Sequence, residues 1–415
     1  MTRRIGLIAA TGIGVGSMIG AGVFSDMWVD VLAAGQWALP AVACAAVVAL
    51  LNALSTAQLA ARYPVAGGAY AYGRAELGPF AGHFAGAAFV VGKTVSVAVA
   101  ALVLGTYLIP GHAPGIASAA IVAAWALNAR GITRTAWAAS LIAVITVTAL
   151  GGIVVMALLA SPAREGAVTG PVADDAGGPV FLVAVAAAFF AFAGYARVAT
   201  LGEEVTQPAR TIPRAVMAAL AIVVVVYLAV GFALTRTESA ALAQAPLEAL
   251  ARVGHVPVWT VTAVAALSVG GAMLAVMAGA GRTAMAMARE GDLPRALATQ
   301  GESGAPWRAE AVVAAGALAL VWSTDASLVL VSAASILTYY AVANVAAARQ
   351  RRAGRTAGLR VPAAVPWVGL AASALLAVVA LTQSADGWWT TAWVMAVVVG
   401  WPAAAAVVRS RRPTT

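Results

Sequence analysis

Residues Gly6–Phe24, GLIAATGIGVGSMIGAGVF, decide how the rest of the chain is interpreted. The segment is apolar enough to cross a membrane, yet it contains five glycines: Gly12, Gly14, Gly16, Gly20 and Gly22. A glycine inside a helix costs up to about 1 kcal/mol relative to alanine. The glycines therefore have two interpretations. They form a face that packs closely against other helices, or they let the helix unwind, which the membrane tolerates only inside protein or beside a wet cavity.

The composition of the 415 residues indicates an integral membrane protein. Hydrophobic residues make up 62% of the chain and charged residues 10%, whereas soluble domains contain roughly 25% charged residues. Apolar stretches of about 20 residues recur, so we predict an all-α membrane protein with about twelve transmembrane helices. The net charge of +9 is explained by the placement of arginine around these helices, and it does not indicate nucleic-acid binding.

The arginines predict the orientation of the chain. Arg3 and Arg4 precede the first span, and a cluster that includes Arg349 and Arg351 follows the tenth. The loops on the opposite side are richer in acids. Because positive loops stay on the cytoplasmic side, we expect both termini to be cytoplasmic and the protein to lie in the cell membrane.

A second weak point lies in the sixth span, where Gly194 follows three phenylalanines and precedes Arg197. Gly194 alone is explained by packing or by unwinding. Spans 1 and 6 occupy equivalent places if the first ten spans are two repeats of five, and interrupted helices in matching places indicate the central site of a transporter. We therefore predict a first repeat at 1–160, a second repeat at 179–348 and peripheral spans at 361–409.

The chain resembles amino-acid permeases of the amino acid–polyamine–organocation (APC) superfamily in segments from both repeats. In chain order these are GSMIGAGVF, RYPVAGGAYAYGRAELGPFAGHFAG, FFAFAGYARVATLGEEVTQPARTIPRAV, GRTAMAMAREGDLPRALA and SILTYYAVANVAAARQRR. The resemblance implies a five-plus-five inverted repeat with broken helices 1 and 6, plus two peripheral helices. It also implies alternating access to a substrate held between the two broken helices.

An amino-acid substrate needs a partner for its carboxylate and another for its ammonium group. Exposed N–H groups at the start of a half-helix suit a carboxylate, and by resemblance these belong to Val15, Gly16, Ser17 and Met18. Free carbonyls suit the ammonium group, and these belong to Gly12, Ile13 and Gly14 and to the segment that includes Phe190 and Ala193, beside Gly194. Phe190 aligns with an aromatic gate of the family, or it simply packs.

Charged and aromatic residues complete the predicted site. Lys93, the only lysine, lies midway along the third span. An ionisable residue inside a span is a candidate for a functional role. The alternative is that Lys93 has a structural role and pairs with a carbonyl or with Asp26. Many relatives carry a glutamate after Gly194-Tyr195, but this chain has Ala196 and Arg197, which puts a cationic substrate in doubt. Asp26, Tyr195, Arg197 and Tyr339 are further candidates for a gate or pathway.

We therefore expect a secondary active transporter, a permease or exchanger for small or medium neutral amino acids, coupled to protons through Lys93 or to counter-exchange (antiport). Acidic or amine substrates in the same fold are the alternative, and a membrane-embedded enzyme or a channel is a weaker one. The sequence shows no catalytic constellation and no metal or cofactor motif, and it does not indicate a partner subunit.

Overall fold

The computed structural model describes residues 5–63, 65, 67–131, 136–160, 178–199, 204–237, 245–323, 328–356, 359–383, 392, 394 and 396–402. Helices dominate these residues, and eight of the described helices are long and apolar enough to cross a membrane. The helical membrane fold is thereby confirmed. Shorter apolar helices are also described, among them Leu7–Gly22, Ala113–Ala129 and Trp307–Val321, so the number of about twelve spans stays a prediction.

Helices of the predicted first repeat follow one another with short connections. They are α1 (Leu7–Gly22), α2 (Met27–Ala33), α3 (Ala38–Arg62), α4 (Ala69–Leu77), α5 (Pro79–Leu108), α6 (Ala113–Ala129) and α7 (Ala136–Ala160). The long α5 is buried over much of its length and packs along later helices. Proline at its first position suits a helix start, because the missing N–H has no partner there.

Helices of the later part complete the bundle. They are α8 (Pro179–Phe192), α9 (Ala196–Ala199), α10 (Pro208–Leu234), α11 (Pro246–Val253), α12 (Val258–Arg289), α13 (Trp307–Val321), α14 (Leu328–Arg352) and α15 (Ala364–Gln383). Both α12 and α14 pack along α5. The division into repeats at 1–160, 179–348 and 361–409 stays a prediction.

Span 1 is interrupted between Gly22 and Met27, but not at the predicted position between Gly12 and Met18, because α1 is one continuous helix from Leu7 to Gly22. Its glycines serve close packing instead. A Cβ atom at Gly12 would overlap Ser140 of α7, and one at Gly20 would overlap Ala272 of α12. The helix ends only after Gly22, and a short turn then leads to α2. Small residues let neighbouring helix backbones approach in this way.

Span 6 changes its helix type at the predicted place. The helix α8 ends at Phe192, a 3₁₀ turn covers Ala193–Tyr195, and α9 follows. The interruption is thus one tight turn rather than an unwound segment. Short 3₁₀ stretches inside a span are typical of hinges or strained sequences.

Spans 1 and 6 are joined at two levels. Outside the helices, Ile5 N donates to Glu204 O at 3.1 Å and Thr206 N donates to Ile5 O at 2.9 Å, around an isolated parallel bridge between Ile5 and Val205. Within the bundle, the Tyr227 hydroxyl of α10 reaches a carbonyl in each of the two spans. The two segments therefore form one packed unit.

Several sequence predictions lie outside the described residues. They include Arg3 and Arg4 and part of the predicted peripheral spans at 361–409.

Candidate functional site

A polar cavity of about 150 Å³ lies between α1, α6, the end of span 6 and α12. We call it the main cavity. Ser17 of α1, Arg197 of α9 and Ser268 of α12 line it, and it extends to Ile5 and Glu204 at the end of the bundle where the chain begins. A cavity of about this volume holds a molecule the size of benzene, so the main cavity suits a small ligand.

A second cavity of about 20 Å³ adjoins the main cavity, and we call it the small cavity. Ser17, Arg197 and Ala275 line both cavities. Lys93 and Gly194 line only the small one. Ser17 and Arg197 are thus the predicted site residues that lie at the junction between the two spaces.

Lys93 is buried at 7% exposure and is oriented towards span 6. Its Nζ donates to the Ala193 carbonyl at 3.4 Å and lies 5.9 Å from the centre of the Phe89 ring. Because Ala193 begins the 3₁₀ turn, Lys93 stabilises the carbonyl at the point where α8 ends. The carbonyl pairing, rather than a pair with Asp26, is the arrangement that the structure contains.

The described charged groups around the two cavities have an excess of positive charge. Lys93, Arg197 and Arg282 are the cations, and Glu204 is the acid. Arg282 Nη1 lies 3.1 Å from Glu204 Oε1, so these two charges compensate each other. Arg197 lies near both of them and its guanidinium lies beside Gly279 of α12. Lys93 and Arg197 are the remaining described cations that line the two cavities.

The predicted residues of α1 are divided between cavity and core. Ile13, Gly16 and Ser17 line the main cavity. Val15 and Met18 are buried in the apolar core, and Gly12 and Gly14 face the helices packed against α1. Because α1 is continuous, Val15, Gly16, Ser17 and Met18 do not begin a half-helix, and the predicted carboxylate site on their N–H groups is not formed in this structure.

The predicted aromatic residues lie outside both cavities. Phe190 and Tyr195 are buried, and the Tyr195 ring stacks on that of Tyr340 at 5.0 Å. The Tyr339 hydroxyl accepts a hydrogen bond from Ala69 N at 2.8 Å and therefore holds the start of α4. Asp26 is exposed at the start of α2, away from the cavity.

The helix α4 is tied to the segment after α12 by a separate charged cluster. The Tyr70 hydroxyl donates to Asp292 Oδ2 at 3.0 Å, and Arg74 pairs with Asp292 at 3.3 Å and with Glu290 at 3.1 Å. Burial first, and then the charge of Asp292, raise the pKa of Tyr70, so its hydroxyl remains a donor. This cluster connects two of the segments that resemble the permeases.

Sequence reasoning missed the role of residues that are far apart in the chain. Glu204 pairs with Arg282 at the cavity, although 78 positions separate the two in the chain. Asn128 of α6 also lines the main cavity. The available signal was Arg282 itself, a charge within the long apolar helix α12, seven residues before its end.

Comparison with known proteins shows which family the chain resembles. The amino acid permease family matches residues 5–401. An uncharacterised transporter of Mycobacterium tuberculosis is 44% identical over 391 residues, which cover 91% of this chain and 86% of the relative. Cationic amino acid transporter 6 of Arabidopsis thaliana is 28% identical over 386 residues, which cover 83% of this chain and 65% of that relative. The glutamate/serine transporter AimA of Bacillus subtilis is 27% identical over 247 residues, which cover 54% of this chain and 46% of that relative.

Proposed function

Because the chain belongs to the amino acid permease family, we propose that it is a secondary active transporter of amino acids that works by alternating access. The family and the named relatives are transporters, not enzymes. The observation that carries the proposal is the pair of adjoining cavities between α1, the 3₁₀ turn of span 6 and α12, with Ser17 and Arg197 at their junction.

The substrate carboxylate binds the Arg197 guanidinium and the Ser17 hydroxyl. Arginine suits this role because its planar donors match the two oxygens of a carboxylate. The N–H groups of α1 take part only if the helix opens in another state of the cycle. In the state described here, side chains rather than open backbone supply the donors.

Small or medium neutral amino acids are the leading substrate class, and acidic amino acids are the alternative. The surplus of cations around the two cavities supports both over a cationic substrate, since a like charge opposes binding. The volume of about 150 Å³ supports the smaller members. Amines without a carboxylate have no partner for Arg197 and are the weakest choice.

Transport is coupled to protons at Lys93 or to exchange with a second amino acid. Lys93 contacts the turn that forms the wall of the site, so a change in its charge alters this wall. We place the protein in the cell membrane with both termini in the cytoplasm, as the arginine distribution indicates. The main cavity, which reaches Ile5 and Glu204, then lies at the cytoplasmic end of the bundle.

Counterflow in proteoliposomes tests the proposal. Vesicles loaded with one unlabelled amino acid are diluted into its labelled form, over a panel of neutral, acidic and cationic amino acids. We expect transient accumulation of neutral or acidic members, which a channel does not produce. Absence of accumulation for every amino acid and amine would contradict the proposal.

A further inference from the structure

Glu310 is a buried carboxyl group that the proposed substrate site does not use. It lies in the first turn of α13 and is 1% exposed, and its Oε2 has no hydrogen-bond partner among the described residues. It packs directly on Gly281 of α12, where a Cβ atom would overlap its side chain. An isolated carboxylate is costly to bury, and a protonated carboxyl group is less so. A buried ionisable residue inside a membrane protein is a candidate for a functional role.

Two residues that line the main cavity separate Glu310 from it. Asn128 of α6 interacts with the Glu310 carboxyl group, and the charge of Arg282 acts on the same group. Arg282 follows Gly281 directly, and it pairs with Glu204 at 3.1 Å across the cavity. Arg282 therefore pairs with Glu204, and its charge also acts on Glu310, which packs on the neighbouring Gly281.

Apolar side chains of two other elements pack beside the start of α13. Val90 of α5 and Leu297 of the 3₁₀ turn Arg295–Ala298 pack with Ala309. On α13 itself, Arg308 is exposed and lies over the Trp307 ring. Arg282 is thus the described cation whose charge acts on Glu310.

The Arg282–Glu204 pair joins two units of the structure. Glu204 is held to the start of α1 by the bridge at Ile5 and Val205. Arg282 and Glu310 belong to α12 and α13, which pack on each other and on α6. The main cavity lies between these units, so a change in its width changes the distance between Arg282 and Glu204.

We propose that Glu310 binds a proton, and that Arg282 controls this binding by pairing with Glu204 or with Glu310. While Arg282 pairs with Glu204, the Glu310 carboxylate takes up one proton from cavity water. When the cavity closes and Arg282 pairs with Glu310, the proton returns to water, because a nearby cation favours the charged carboxylate. The link to transport rests on the proposed function, whereas proton binding at Glu310 requires no substrate.

Infrared difference spectroscopy of the protein in liposomes tests proton binding without any substrate. Spectra recorded between acidic and neutral buffer contain the C=O stretching band of each carboxyl group that gains a proton. We expect a component present in the native protein and in E302Q, an exposed loop control, to be missing from E310Q. A spectrum of E310Q that lacks no component of the native spectrum would overturn the proposal.

Two further variants test the control by Arg282, and they retain Glu310 if E310Q fails to fold. In R282Q the Glu310 band should persist to higher pH, because the cation is gone. In E204Q it should disappear at lower pH, because Arg282 is released to Glu310. Bands at unchanged pH in both variants would contradict the switch. If the native protein shows no counterflow while the variants still show these infrared shifts, the proposed transport function fails and proton binding at Glu310 stands.

Discussion

The backbone of Gly194 lies directly against the backbone of Ser17, so closely that a Cβ atom at Gly194 would overlap the Ser17 carbonyl group and Met18 N. The turn of span 6 and the middle of α1 therefore touch where the two cavities meet. This contact, rather than an open segment of α1, explains why the site lies at this level of the bundle.

The contact predicts that G194A retains little transport while it still inserts into the membrane. The added methyl group has to push α1 away from the turn, which displaces Ser17 from Arg197. Gly270 of α12 is the matched control, because nothing lies within 4 Å of a Cβ atom there. Counterflow by G270A should equal that of the native protein. Native activity in G194A would show that the two spans need not touch.

The Tyr227 hydroxyl predicts a measurable loss of stability in Y227F. It donates to Met18 O at 2.7 Å and to Ala191 O at 3.1 Å, and so joins α1 to α8. We expect the free energy of unfolding in detergent to fall by about 1 kcal/mol. In Y72F, by contrast, an equally buried hydroxyl without a described partner is removed, and the fall should be smaller. Equal effects would refute the role of the hydroxyl.

Lys93 predicts an effect of pH on transport. K93M removes the charge beside the Ala193 carbonyl, so the dependence of uptake on an applied pH gradient should weaken and the rate should fall. T94V changes the next residue, whose hydroxyl bonds only its own helix at Val90, and should preserve both. Unaltered uptake and unaltered pH dependence in K93M would leave Lys93 with a structural role alone.

Arg197 predicts the charge preference of the substrate. In R197E the junction of the cavities carries an acid, so competition by cationic amino acids should strengthen and competition by acidic ones should weaken, each by about tenfold, or about 1.4 kcal/mol. R308E changes an exposed arginine over Trp307 and should leave the order of competitors unchanged. If the order of competitors is the same in R197E as in the native protein, the substrate carboxylate does not bind at Arg197.

The sequence was sufficient for the helical membrane fold and for the change of helix type at Gly194, because both depend on local patterns of apolar residues and glycine. It did not determine what the glycines do. A glycine that unwinds a helix and one that admits Ser140 or Ala272 look alike in one sequence, and only the facing helix distinguishes them.

Charge pairs across the bundle were equally beyond the sequence. Arg282 and Glu204 are separated by 78 positions, and the sequence carries no sign of their contact at 3.1 Å. Lys93 was recognised because a lysine in a span is unusual. Glu310 was not, because it lies near the polar segment that precedes its helix and resembles an ordinary helix start there.

The central claim is that the substrate lies against Ser17, and cysteine protection tests it most directly. Cys44 is the single cysteine, so S17C in a C44A background gives one reactive thiol at the junction of the cavities. The amino acid that shows counterflow should slow labelling of this thiol by a small maleimide, and it should not slow labelling of T299C on an exposed segment. Equal labelling rates at S17C with and without the transported amino acid would contradict the account.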